Sequence, residues 1–394
     1  MTQSLAAKQK EFILNRPQEQ ENAFQDWKEV SYSYSPEDEE WGEKLLFEGK
    51  VACLLLAGGQ GSRLGAPLKG AVQVTPCKQK SLFQIFCEKT FYAGKKYGRN
   101  LPLIVMTSTQ NHKETFELFQ KNNWFGLCDN QVFFFTQEDL PFCDDNGDWI
   151  RDPKGEVVKG PDGNGMALHL LYKSPIAEKL RLMGIEHIQM LQIDNPLADP
   201  FDAAFVGFHH RNEADISMIA VTKESETEKA GMLASEQGKL RVIEYIQKRE
   251  NSLSYVNTGI YCFTFAFIEK IGKENNPLPW HIAYKKIEGE KYGWKFEYFI
   301  FDVFLYAKTF AVIIQPRNQC FSPLKNALGD KSLTLVQKDL IEKDKKIYKK
   351  IFHKEPLDLL ELSYVFYYPT IKQKQLWANT SGPIGSYISL ELLH

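Results

Sequence analysis

Between residues 51 and 193, short apolar runs alternate with amphipathic stretches. Residues 51–57 (VACLLLA) are apolar throughout, the pattern of a strand covered on both faces of a parallel sheet. A glycine-rich loop follows at once. Residues 81–97 then predict a helix, with Ser81 as N-cap and Leu82, Ile85, Phe86 and Ala93 near one face. Residues 103–107 (LIVMT), 132–135 (VFFF) and 188–193 (IQMLQI) read as further strands, and 113–122 as a helix. Strand and helix alternate in this way in a doubly wound α/β sheet.

Downstream the pattern changes. Residues 218–221, 240–245, 255–263 and 311–315 read as strands between charged loops, and 297–308 as an aromatic-rich helix. Residues 1–47 read as a polar helical arm with an acidic patch at Glu37, Asp38, Glu39 and Glu40. Residues 48–330 form the main domain. Residues 331–394 form a small C-terminal one, in which the lysine-rich run KDKKIYKKIFHK reads as a solvated helix face.

Composition narrows the classes. The 394 residues are 43% hydrophobic and 25% charged, a globular balance, and the net charge of −2 argues against nucleic-acid binding. The 7 cysteines are odd in number, widely spaced and without CxxC, so reduced cytoplasmic thiols are expected rather than disulfides or zinc. No window has the ~18 apolar residues of a membrane span, and the N-terminus lacks the apolar core of a signal peptide.

The candidate chemistry begins at the loop Gly58-Gly59-Gln60-Gly61-Ser62-Arg63-Leu64-Gly65. It follows a buried strand, so it lies at the carboxyl edge of the sheet, where α/β folds bind ligands. Closely spaced glycines let backbone N–H groups approach an anion, and Arg63 adds a guanidinium fork suited to phosphate. No lysine–serine or lysine–threonine pair completes a P-loop, and Gly59, Gly61 and Gly65 give GxGxxxG instead of the dinucleotide GxGxxG. Anion cradle and structural turn both remain open on these residues alone. The same holds for Pro161-Asp162-Gly163-Asn164-Gly165, a tight turn feeding a helix. Asp194, in QIDNP, ends an apolar strand, a place where a carboxylate suits Mg²⁺ and an Asp–Asn turn is the plain alternative.

Leu56, Gly59, Gly61, Ser62, Arg63, Leu64, Gly65 and Lys69 together resemble the LxxGxGTxLGxxxPK signature of the sugar-nucleotide pyrophosphorylases. The form AGGQGSRLG is similar to the eukaryotic-type UDP-N-acetylglucosamine pyrophosphorylases, with one residue fewer between arginine and lysine. PDGNG, QIDNP, KFEYFIFD and FSPLKN follow in the order of that family, across about residues 50–330. The resemblance implies a Rossmann-like, GT-A-like nucleotidyltransferase with a mixed sheet. Its activity would be uridylyl transfer from UTP to a sugar 1-phosphate, with Mg²⁺ as cofactor.

The resemblance also implies roles. Leu56, Gly58, Gly59, Gly61, Ser62, Gln137, Pro161, Gly163, Asn164 and Gly165 would hold the nucleotide. Arg63 and Lys69 would hold the leaving pyrophosphate, while Lys295 and Lys325 would neutralise the reacting phosphates. Asp194 would bind the metal. Asn195, Gly231, Glu244, Asn257, Phe299 and Phe301 would meet the sugar. Around Asn257 the sequence reads YVNTGIY where the family has an NAGN-I pattern, so UDP-glucose formation, or a broad UDP-sugar pyrophosphorylase activity, stands beside UDP-N-acetylglucosamine formation. A UDP-sugar-binding protein without turnover is the non-enzyme alternative. No histidine is assigned a role.

Overall fold

The computed structural model describes residues 4–16, 24–244, 253–274, 277–287, 291–378, 380 and 382–390. Its centre is a mixed sheet. Val51–Leu56 pairs in parallel with Leu103–Thr107 and with His187–Gln192, and Val132–Thr136 extends the parallel half. All six residues of Val51–Leu56 are buried, as an uninterrupted apolar strand requires.

Tyr255–Thr264 runs antiparallel to His187–Gln192 and turns the sheet into its second half. There it also pairs with Ile216–Thr222 and, at Val256, with Met232–Glu236. Lys239–Ile243 and Phe310–Ile314 complete that half. Two apolar clusters cover the two faces, one around Leu55, Phe83, Phe86 and Phe205, the other around Leu54, Met190, Phe263 and Ile268.

The helix Leu82–Tyr97 starts where expected, with Ser81 Oγ accepting from the Gln84 N–H at 3.2 Å. The predicted helix over 297–308 is a correction. Tyr292–Glu297 is a strand paired with His281–Lys286, and only Ile300–Tyr306 coils, as a 3₁₀ segment. Ile300, Val303 and Phe304 are buried at the i, i+3, i+4 spacing of a helix, which the short 3₁₀ segment shares, so the apolar pattern overstates the length of the coil. Of the strand expected over 240–245, Lys239–Ile243 is present and Tyr245 lies outside the described residues.

The N-terminal arm is packed. The helix Pro36–Phe47 crosses Ala203–Arg211 so closely that a Cβ on Gly42 would sit 1.7 Å from the Ala203 carbonyl oxygen. Asp38, in the acidic patch, is fully buried, closes the capping box of its own helix and pairs with Arg211 Nε at 2.7 Å. Gln25–Asp26 adds an edge strand to the main sheet.

The long helix Leu333–Phe352 lies against the main body, and residues beyond it form a small cluster around Phe366 and Trp377. Among the described residues, the β-like sequence expected there is limited to Glu361–Leu362 against Tyr387–Ile388. All seven cysteines are free. No helix among the described residues is long and apolar enough to cross a membrane.

Candidate active site

The parallel strands deliver their loops to one edge. Gly58, just past Val51–Leu56, sits against Gln137, just past Val132–Thr136: a Cβ on Gly58 would lie 2.6 Å from Gln137 Oε1. Gln137 is 6% exposed and its N–H donates to the Thr107 carbonyl at 2.8 Å. The loop then folds on itself, the Ala66 and Leu64 N–H groups donating to the Gly61 carbonyl at 3.1 and 2.8 Å. A Cβ on Gly61 would meet the Ala66 carbonyl oxygen at 2.7 Å, whereas Gly59 has open space around it. Arg63 stands exposed on the 3₁₀ turn Ser62–Leu64, with the Ser62 side chain outside what is described.

The structure draws PDGNG and KFEYFIFD together, Asn164 and Ile300 being 136 residues apart in sequence and bonded in space. Tyr298 N–H donates to the Asp162 carbonyl at 2.7 Å, and Gly165 N–H to the Tyr298 carbonyl at 2.9 Å. Gly163 has φ +87° and, like Gly165, leaves no room for a Cβ against Tyr298. Asn164 Oδ1 accepts from the Ile300 N–H at 3.0 Å, so its side chain fixes the start of the 3₁₀ segment. That bond engages the oxygen of the amide expected at the nucleotide.

Asp194, past His187–Gln192, forms a 2.8 Å ion pair with Lys69, and both side chains are mostly buried. Burial pushes the Asp194 carboxyl up, but Lys69 and Lys325 together outweigh it and hold the group below its ordinary value. Its neighbour Asn195 is held by backbone groups. Expected at the sugar, it is 1% exposed, donates to the Cys320 carbonyl at 2.7 Å and accepts from the Ser322 N–H at 3.0 Å. With both ends of the amide engaged, it ties the Asp194 loop to FSPLKN.

On the other side, Asn257 N–H donates to the Gly231 carbonyl at 2.9 Å, and a Cβ on Gly231 would lie 3.8 Å from Glu244 Oε1. These three candidates meet as expected, but Asn257 Oδ1 already accepts from Gly259 N–H at 3.0 Å and Tyr261 O–H at 2.8 Å. Burial raises the Glu244 carboxyl; His281 and Lys325 oppose that rise, and Glu297 and Asp302 add to it. Phe299 and Phe301 are half-buried, their ring centroids 5.1 Å apart. Lys295 pairs with Glu297 at 2.7 Å.

Three groups escaped the sequence reading. His281 Nε2 lies 2.7 Å from Asp302 Oδ2, and its ring centroid is 4.5 Å from that of Phe299. Asp302, 5% exposed, had a signal: a carboxylate inside the aromatic run FEYFIFDVF needs a buried partner. His281 had none, since its place depends on the register His281↔Glu297. Asp162 is 2% exposed, with Oδ1 lacking a partner among the described residues. Burial first, then Glu138, push it up to about 7.

Among the described residues, no three His, Cys, Asp or Glu side chains cluster to hold a metal. Asp194 with its Oδ1 edge is the carboxylate that fits a cation completed by substrate phosphates. Two cavities of about 440 Å³ each lie elsewhere, one beside Lys80 and Tyr387, the other beside Asp199 and Lys343, and neither is lined by these candidates.

A glycine loop at the carboxyl edge of a parallel sheet, facing an ionised carboxylate between two lysines, defines an α/β phosphate-handling site. The chain belongs to the UTP–glucose-1-phosphate uridylyltransferase family, whose model matches residues 4–372. It is 32% identical over 330 residues to the UDP-N-acetylglucosamine pyrophosphorylase of Saccharomyces cerevisiae, covering 75% of this chain and 69% of that one. It is 35% identical over 321 residues to the human UDP-N-acetylhexosamine pyrophosphorylase-like protein 1, covering 73% and 63%. The crystal structure of the Trypanosoma brucei uridine diphosphate N-acetylglucosamine pyrophosphorylase, bound to an inhibitor, superposes with TM-score 0.78 at 25% identity, covering 89% of this chain and 81% of that one.

Proposed function

We propose that this chain transfers uridylyl from UTP to a sugar 1-phosphate, N-acetylglucosamine 1-phosphate being preferred, with release of pyrophosphate. The observation that carries this reading is the Lys69–Asp194 pair with Lys325 beside it, at the end of the strand next to the glycine loop. An oxygen of the sugar phosphate attacks the α-phosphorus of UTP, and the bond to the pyrophosphate oxygen breaks. A phosphate monoester is already nucleophilic near neutral pH, so positioning and charge neutralisation supply the catalysis.

Lys325 and Lys295 neutralise the crowded phosphates, and Arg63 and Lys69 face the leaving pyrophosphate. The uracil lies by Gln137 and Gly58, where the absence of a Cβ on the glycine makes room for the Gln137 amide. Glu244 accepts hydrogen bonds from sugar hydroxyls. Mg²⁺ held by Asp194 would supply further charge neutralisation at the phosphates. The half-buried pair Phe299 and Phe301 favours an N-acetyl group over a bare hydroxyl, in keeping with the names of the relatives. A cytoplasmic setting suits the seven free thiols.

The test is pyrophosphate release from UTP with a panel of sugar 1-phosphates, with and without EDTA. Fastest turnover with N-acetylglucosamine 1-phosphate, abolished by EDTA and restored by Mg²⁺, is expected. Turnover with glucose 1-phosphate alone would remove the sugar assignment, UDP-sugar binding without turnover would remove the enzyme, and full activity in EDTA would remove the metal.

A further inference from the structure

Behind the site, the helix Leu333–Phe352 grips both segments that carry its central charges. Asp339 accepts from Ser322 Oγ at 2.6 Å, in the segment that leads to Lys325. One turn further on, Lys343 Nζ donates to the Leu197 carbonyl at 2.7 Å and pairs with Asp199 at 2.8 Å, in the loop that leaves Asp194. Lys89 reaches the same loop from below: its Nζ donates to the Pro196 and Ala198 carbonyls at 2.9 and 2.7 Å and pairs with Asp199 at 2.8 Å. Lys89 and Lys343 are mostly buried, their side chains 1% and 11% exposed. Lys343 opens the run expected to be a solvated face, and it is not solvated.

The two gripped segments are also locked to each other. Leu324 N–H donates to the Asp194 carbonyl at 2.8 Å, and Asn195 bonds Cys320 and Ser322. Burial pulls the Lys89 ammonium down to about 8 against the pull of Asp199. Burial likewise raises the Asp199 carboxyl, yet Lys343 and Lys89 hold it at about 2. At neutral pH Asp199 is thus a fixed negative charge binding one lysine from the main body and one from the C-terminal helix.

The geometry points to Lys343 and Asp339 as positioning residues for the transfer: the helix is a clamp that sets the spacing between Asp194 and Lys325. This rests on the functional reading above. Neither residue touches substrate. Their effect is to preorganise charges whose catalytic value falls steeply with displacements of about 1 Å. The nucleotide loop at Gly58–Gly65 and Gln137 makes no contact with Asp339 or Lys343 among the hydrogen bonds and ion pairs of the described residues, so the clamp acts on turnover rather than on UTP binding.

The experiment compares Lys343→Met, Lys343→Arg and Asp339→Asn with wild type, measuring kcat, KM for UTP, thermal midpoint, and amide hydrogen exchange of residues 194–199 and 320–326. Expected in Lys343→Met is a kcat lowered about 10- to 100-fold with KM for UTP within about threefold. Lys343→Arg recovers most of the rate, and exchange rises in both segments. Asp339→Asn, a milder change, shows the same split and carries the test if Lys343→Met does not fold. An unchanged kcat, or a loss shared equally by kcat and UTP affinity, overturns the clamp. A wild type inactive on every sugar 1-phosphate overturns the functional reading instead, and unchanged exchange in the variants then decides against the clamp.

Discussion

The two walls of the proposed site, one assigned to the nucleotide and one to the sugar, are built by different means. The nucleotide wall comes from the parallel half of the sheet, where loops emerge together at one edge and glycines make close approach possible: Gly58 against Gln137, Gly61 against Ala66. The sugar wall comes from the antiparallel half and the hairpin, where Glu244, His281, Phe299 and Lys325 arrive from four separate segments. Backbone shape makes the first wall, and side-chain placement makes the second. A seam of charge, Lys69–Asp194 with Lys325, joins them. Breaking the seam should have the largest effect. Lys325→Ala is expected to lower kcat about 10²- to 10³-fold, roughly 3–4 kcal/mol, while UTP still binds. Steady-state rates and calorimetric UTP titration check this; a near-normal rate would place the reacting charge elsewhere.

The same contrast explains what could be read in the sequence. The strands at residues 51–57, 103–107 and 132–135 were legible because burial on both faces leaves an uninterrupted apolar run. The glycine loop was legible because its geometry demands a residue type. Asp194 was legible as a carboxylate ending such a strand. His281 was not, because nothing in an exposed-looking strand, HIAYKK, records that Glu297 lies opposite and Asp302 beneath. The partners of Asn195 were hidden for a related reason: an amide next to a candidate carboxylate looks equally apt for a sugar or for a backbone, and only the fold brings Cys320 and Ser322 to it. Lys343 was hidden among lysines that are solvated.

Asp162 offers a way to weigh the packing between the walls, since its carbonyl accepts from Tyr298 while its carboxyl is buried. Its folded value of about 7 lies above the ordinary 3.8, so the folded chain keeps a proton that the unfolded chain has lost. The folded state then binds more protons between about pH 4 and pH 7, and stability falls as pH rises through that window. Asp162→Asn removes this dependence. Relative to wild type it should gain on the order of 2–4 kcal/mol between pH 4.5 and pH 8, read from urea denaturation at both. Asp202 and Asp344, raised by burial to about 6 and about 7, act with the same sign, and His187 and His209, lowered by burial, with the opposite one, so the difference between the two proteins is what reads Asp162. Identical pH dependence in the two proteins would mean that Asp162 is ionised in the fold.

The smallest expected effect falls on the wall proposed for the sugar. Phe299 and Phe301 lie half-buried beside His281, whose ring packs against Phe299 at 4.5 Å and is held by Asp302. Ile300, Val303 and Phe304 of the same segment are buried in the core and Phe301 packs against their cluster, whereas Phe299 is not part of it. A contact with one methyl group is worth only ~1–3 kcal/mol, and truncating one of two rings removes part of it. Phe299→Ala should therefore raise KM for N-acetylglucosamine 1-phosphate about 5- to 20-fold relative to glucose 1-phosphate, leaving KM for UTP unchanged. The comparison of the two sugar phosphates is the informative quantity, because a general loosening of the site would weaken both alike. Equal losses on both would show that the ring shapes the wall without reading the acetyl group, and would shift the discrimination to Asn257 and its departure from the family's pattern.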